Sequence, residues 1–126
     1  MSSIFKIRNF NMNNFNDLTK KIISFRDNRD WNQFHTPKNL AISLSLESSE
    51  VLEHFQWKTD EEIKEYLVSH KEEIADELGD VLNYLLLLAN RADIEIVQAA
   101  ENKLKKNELK YPIDKAKGNA KKYNQL

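Results

Sequence analysis

The chain has no cysteine, only two glycines and two prolines, and no long apolar run. Each scarcity excludes something. Without cysteine there is no disulfide framework, no thiolate metal site and no thiol nucleophile, and a cytoplasmic location fits. So few glycines and prolines leave little material for tight turns. The longest apolar stretch, Val81 to Ala89, is broken by Asn83 and falls far short of the roughly 20 residues that cross a bilayer. It reads as buried core, and no membrane partner is expected. Met1 to Asn11 mixes Lys6 and Arg8 among scattered apolar residues, without the continuous apolar run and cleavage site of a secretory signal.

What is present suits one small domain. The 126 residues are 40% hydrophobic, enough for a single core, so one domain is expected over 1–126 with its core at about 14–110. The formal net charge is −1 but unevenly spread. Between Glu47 and Asp80 twelve acids stand against three lysines, Lys58, Lys64 and Lys71. From Glu101 onward eight lysines stand against three acids, Glu101, Glu108 and Asp114. Two solvated helix faces would account for this pattern. So would a cation-binding middle followed by a polyanion-binding end, and the motifs have to decide. Nucleic acid is disfavoured as a partner, because the net charge is negative and the basic residues are not interleaved with a stacking surface.

Apolar periodicity predicts an all-α fold. Phe15, Leu18, Ile22 and Phe25 recur at helical spacing, so a first helix is expected from about Asn14 to Asn28. Thr36-Pro37 combines an N-cap hydroxyl with a proline at the first helical position and opens a second helix to about Phe55. Thr59 with Glu62 and Ser69 with Glu72 fit the S/T-x-x-E capping box. They predict a short helix and the start of a long one reaching about Asn90. Asp93 is placed to cap a last helix to about Asn107, and Tyr111-Pro112 stops propagation. The expected architecture is a four-helix-bundle-type fold with a short extra helix and a polar C-terminal tail.

Two of these helices carry an anomaly. On the second, the apolar stripe Leu40, Leu44, Val51, Phe55 is completed by Glu47, a carboxylate in a core face. On the long helix Ile74, Leu78, Val81, Leu85 and Leu88 form the stripe, and Glu77 borders it. Each anomalous acid has a second acid three residues later, Glu50 and Asp80, so each helix offers two carboxylates on one side. Ionised carboxylates leave water only with a basic partner, a metal or a proton. Lysine and arginine are absent from 39 to 57, and Lys71 is the only such cation between 65 and 90. Packed side by side, the two helices would bring four acids together, and a hard divalent ion would make that tolerable. Oxygen-only ligation points to Mg²⁺, with Mn²⁺ as a substitute, and away from Zn²⁺. A di-iron carboxylate bundle would need Glu-x-x-His motifs, and none of His35, His54 and His70 follows a glutamate at that spacing.

Glu47-Ser48-Ser49-Glu50 followed by Glu77-Leu78-Gly79-Asp80 resembles the E-x-x-E…E-x-x-D signature of the MazG-like all-α nucleotide pyrophosphohydrolases. Arg29-Asp30-Trp31-Asn32-Gln33-Phe34-His35, Pro37-Lys38-Asn39-Leu40, Phe55-Gln56-Trp57 and Lys103…Asn107…Lys110-Tyr111-Pro112 look like the single-domain dCTP pyrophosphatase branch of that family. The resemblance covers about residues 14 to 123. It implies hydrolysis of a (deoxy)nucleoside triphosphate between the α- and β-phosphates. It also implies Mg²⁺ ligation by Glu47, Glu50, Glu77 and Asp80, with one glutamate, such as Glu50, orienting or deprotonating the attacking water. Trp31, Trp57 and Tyr84, with His35 beside them, match base-pocket positions. Lys38, Lys103, Asn107, Lys110 and Tyr111 match triphosphate contacts, a role that lysine ammonium groups suit.

Read without the resemblance, Trp31 and Trp57 serve equally well as core anchors, Tyr84 as helix packing and the lysines as solvated surface. Ile22 stands where some members carry a histidine, so the preferred base stays open between dCTP, dUTP or a phosphoribosyl-ATP-like substrate. Gly79, inside the second motif, suggests a close helix approach. Members of the branch are usually tetramers, and the apolar helix offers more surface than one small bundle needs, so a homo-oligomer, tetramer or dimer, is expected. The non-enzymatic alternative is a helical interaction module whose acidic middle binds a basic partner.

Overall fold

A computed structural model describes residues 12–126, so the expectation for Met1 to Asn11 lies outside the described residues. Six helices follow in order: α1 (Met12–Asn28), α2 (Pro37–Glu53), α3 (Asp60–Ser69), α4 (Lys71–Arg91), α5 (Ile96–Lys110) and α6 (Ile113–Ala116). Short 3₁₀ turns occupy Asn32–Phe34 and Tyr123–Gln125. There is no strand among the described residues, and the all-α expectation holds. No described helix is long and apolar enough to cross a membrane. By internal packing the chain groups into two compact units, Met1–Asp93 and Ile94–Leu126.

Local chemistry explains most of the boundaries. Thr36 accepts from the Asn39 amide with Pro37 at the first helical position of α2, and Asn39 Nδ2 donates to the Phe34 carbonyl. Thr59 and Glu62 form the complete reciprocal capping box that opens α3. Such a cap is worth about 1 kcal/mol. Two other predicted caps are not formed. Only His70 separates α3 from α4, so Ser69 is the last residue of α3, and its hydroxyl turns back to the Tyr66 carbonyl and to His70. α4 therefore starts at Lys71 with His70 before it and no side-chain cap. Asp93 sits in the left-handed region at φ 55° and its amide donates to the Asn90 carbonyl. It finishes the turn that ends α4, and Glu95 precedes α5 without capping it. α5 runs on to Lys110 before Tyr111-Pro112 ends it.

In the first unit α1, α2 and α3 all pack against α4. The buried apolar residues are Leu40 on α2 and Ile74, Leu86, Leu87 and Ala89 on α4. This differs from the stripe that the sequence predicts for α4, since Leu78 is 52% exposed. The reason is that α4 is apolar around most of its circumference beyond Asp80, so one stripe could not be singled out by period alone. Leu78 instead borders a shallow apolar groove with Leu67, Val68 and Ile74.

Gly79 is a second correction. A Cβ added there would meet nothing within 4 Å, so no close helix approach within the chain requires glycine. Glycine in a helix interior costs up to about 1 kcal/mol relative to alanine. Gly79→Ala is therefore expected to stabilise the protein by about 0.5–1 kcal/mol in chemical denaturation, with a helical circular-dichroism spectrum unchanged. A loss of stability would show that this helix face is closely covered.

Candidate active site

The site is built on the α2–α4 contact, the most extensive helix pairing of the first unit. Glu47 lies mid-helix on α2 between Leu40 and Val51, so packing α2 onto α4 draws its carboxyl inward. Its Oε2 is buried with no hydrogen-bond partner. The Glu47 carboxyl is held above the usual carboxylate range, first by desolvation and next by contact with the Glu50 carboxyl. The charges of Glu50, Asp80 and Glu77 add to this. The other three predicted acids thus lie within electrostatic reach of Glu47, one on its own helix and two on α4. Glu50 and Asp80 are the exposed members and Glu47 and Glu77 the half-buried ones.

The donors suit a hard cation: they are all carboxylate oxygens, and Glu47 buries one that no hydrogen bond satisfies. Among the described residues no three acidic or histidine side chains are gathered into a ready-made coordination arrangement. Glu77 is engaged elsewhere, since its Oε2 lies in contact with His54 Nε2. His54 is thus a basic partner that counting lysines and arginines overlooks. It follows Glu47 by two helical turns on the same face of α2, which is the signal the sequence carries.

Next to the carboxylates a cavity of about 350 Å³ opens between α1, the 29–36 loop and α4. Asp80, Asn83, Tyr84 and Leu87 face it from α4, at the i, i+3, i+4, i+7 spacing of one helix face. Leu18, Ile22 and Phe25 face it from α1, and Trp31 and His35 from the loop. The loop is braced on several sides. Arg29 donates to the Phe25 carbonyl and lies over the Phe25 ring, against whose edge Trp31 packs at 5.7 Å. Arg91 reaches back from the end of α4 to Asn32. Asp30 takes the left-handed backbone that the tight turn needs, at φ 55°. His35 titrates below its usual range, through burial first and then the nearby Arg26 and Arg91 charges, so its imidazole is neutral at neutral pH. Its Nδ1 is buried and unpartnered.

Three of the four predicted base-pocket residues, Trp31, His35 and Tyr84, therefore share one cavity. Trp57 does not line it and stands 86% exposed beyond α2. Lys38 lies exposed in the first turn of α2. Lys103 and Asn107 lie on α5, and Lys110 and Tyr111 cluster with Tyr123, all within the second unit. Asn83, which in the sequence looks like a mere break in an apolar run, turns out to line the cavity. A polar residue three positions after Asp80 was the available signal.

The MazG-like family profile matches residues 42–126. The chain is 40% identical over 112 residues to dCTP pyrophosphatase 1 of Bos taurus, and 39% identical to that of Homo sapiens. Each match covers 87% of this chain and 66% of the relative, so the chain spans just under two thirds of the curated relatives' length. A crystal structure of a pyrophosphatase from Archaeoglobus fulgidus DSM 4304 superposes with a TM-score of 0.75 at 45% identity, covering 79% of this chain and 93% of that one.

The crowding around Glu47 has a consequence for stability. A carboxyl whose folded-state pKa is raised stays protonated in the fold over a range where the unfolded chain has already released its proton. Without divalent cation, stability therefore falls as the pH rises from about 4.5 through the raised value and is lowest above it. Glu47→Gln should raise the melting temperature of the cation-free protein at neutral pH by a few degrees and change it little near pH 4. Added Mg²⁺ should stabilise the wild type and not the variant. A variant that melts below the wild type at neutral pH would contradict this.

Proposed function

The chain belongs to the MazG-like family, and from that membership we propose that it is a Mg²⁺-dependent nucleoside triphosphate pyrophosphohydrolase. Its substrate on this reading is dCTP or a related deoxynucleoside triphosphate, and its products are the monophosphate and pyrophosphate. Water bonds to the α-phosphorus, the bond from that phosphorus to the bridging oxygen breaks, and pyrophosphate leaves with the electron pair. Removing such nucleotides from the cytoplasmic pool is the role that fits.

One observation carries the reading. Asp80 belongs at once to the carboxylate group around Glu47 and to the wall of the aromatic cavity. A nucleotide whose base enters between Trp31 and Tyr84 therefore has its phosphates beside the four acids. The four acids alone would repel a triphosphate, and Mg²⁺ held by Glu47, Glu50, Glu77 and Asp80 would supply the charge neutralisation and acidify the attacking water. Glu50, exposed and next to Glu47, would orient that water and take its proton. Trp31 and Tyr84 offer ring faces to the base, and the neutral His35 offers a nitrogen to its polar edge. Lys38, in the first turn of α2, is assigned to the triphosphate. The relatives named dCTP pyrophosphatase 1 support the choice of base.

A homo-oligomer, most simply a tetramer, belongs to the same proposal. Trp57, Val68, Leu109 and Ile113 are all more than four-fifths exposed on the single chain, an apolar cost that association would remove. Light scattering on the eluting protein should give a multiple of the 14.8 kDa chain, and a stable monomer would contradict it. The activity is tested with a panel of canonical and modified nucleoside triphosphates assayed with and without Mg²⁺. Equal amounts of monophosphate and pyrophosphate, only with the cation and fastest for dCTP or a close relative, are expected. Inorganic phosphate as the direct product would refute the cleavage site.

A further inference from the structure

Glu77 is held from behind. Its Oε2 touches His54 Nε2, and neither atom has another hydrogen-bond partner. On the far side of the imidazole, Nδ1 meets the Tyr66 hydroxyl. These three side chains link three helices, with His54 capping the C-terminal end of α2, Tyr66 on α3 and Glu77 on α4. The contact is sheltered, the side chains of His54 and Glu77 being 12% and 26% exposed.

Tyr66 is itself fixed. His70 stacks on its ring at 4.1 Å, and the Phe55 ring packs edge-on against it at 6.4 Å. Lys58 places its ammonium 4.1 Å from the ring centroid while donating to the His54 carbonyl. Desolvation, followed by the charges of Glu73 and Glu77, raises the phenol above its usual range, so it keeps its proton as a donor. A hydroxyl donating to Nδ1 leaves the imidazole proton on Nε2, aimed at the carboxylate. The opposite tautomer would set two acceptors against each other in a sheltered contact, which is costly.

We infer that His54 is a positioning residue for the metal site: braced by Tyr66, it occupies Oε2 of Glu77 and leaves Oε1 as the oxygen available to the cation. This rests on the metal-dependent reading above. Its physical sense lies in rigidity. Mg²⁺ demands near-ideal geometry, and a glutamate with one oxygen pinned gives up less side-chain freedom on binding. Partners behind a metal ligand typically tune affinity by about 10–100-fold. The proton placement also predicts which replacement can substitute: the amide nitrogen of glutamine can stand near the place of Nε2 and donate to Oε2, whereas leucine cannot.

The test compares wild type, His54→Leu, His54→Gln and Tyr66→Phe in two measurements. One is the Mg²⁺ concentration for half-maximal pyrophosphate release, together with kcat at saturating Mg²⁺. The other is the Mg²⁺-induced rise in melting temperature without nucleotide. His54→Leu should raise the half-maximal concentration by about 10–100-fold and shrink the thermal shift, with a much smaller change in kcat at saturation. His54→Gln should recover most of the loss, and Tyr66→Phe should fall between. An unchanged Mg²⁺ dependence in His54→Leu, or equal losses in the Leu and Gln variants, would overturn the inference. Should His54→Leu fail to fold, Tyr66→Phe decides: a raised half-maximal concentration supports the assignment and an unchanged one overturns it. If the wild type releases no pyrophosphate yet shows a Mg²⁺-induced shift that His54→Leu loses, the proposed reaction fails and the positioning role stands.

Discussion

A carboxylate set into an apolar helix face governs this structure. Glu47 occupies the position on α2 where the Leu40, Leu44, Val51 stripe calls for an aliphatic residue, and packing α2 on α4 takes one of its oxygens out of water without giving it a partner. Each isolated step of that kind costs a few kcal/mol. The neighbouring acids on both helices raise the cost rather than offset it. On the proposed reading a cation offsets that cost, and the rest of the unit would hold the pieces for it. α4 contributes two acids to one side and a cavity wall to another, and the loop after α1 brings aromatic rings over that wall.

The coupling between charge and cavity comes from helix geometry. On α4, Glu77 and Asp80 are three residues apart and Tyr84 is one turn further on, so the acids and a cavity-lining ring share a single rigid rod. No loop has to close to bring them into register. The loop that does contribute, residues 29–36, is tied at its root by Arg29 to Phe25 and near its middle by Arg91 to Asn32. On the proposed reading, binding energy from the base would act at the phosphates, because both ends of a nucleotide would meet groups fixed to α4.

Much of this was legible in the sequence wherever the signal was local. Thr36-Pro37 and the Thr59–Glu62 box each name their own helix start, and the four acids announce themselves by interrupting an apolar period. Where a feature depends on what lies across space, the sequence misled or stayed silent. Ser69 has the right spacing for a cap but is the last residue of the preceding helix; Asp93 has the right chemistry but a left-handed backbone that closes α4 instead. Leu78 fits the period of α4, yet that helix is apolar on several sides and turns others inward. His54 carries no metal motif at i, i+3 spacing, and its partners, Tyr66 and Glu77, come from two other helices. The family resemblance supplied the assignments that packing within the first unit does not reach, those of Trp57 and of the basic residues on α5 and after it.

The most direct measurement of the central claim is anomalous diffraction from crystals grown with Mn²⁺ in place of Mg²⁺. The account predicts an anomalous peak between α2 and α4 with carboxylate oxygens of Glu47, Glu50, Glu77 and Asp80 around it. Strong metal peaks confined to other parts of the chain, with these four side chains turned separately into solvent, would contradict it.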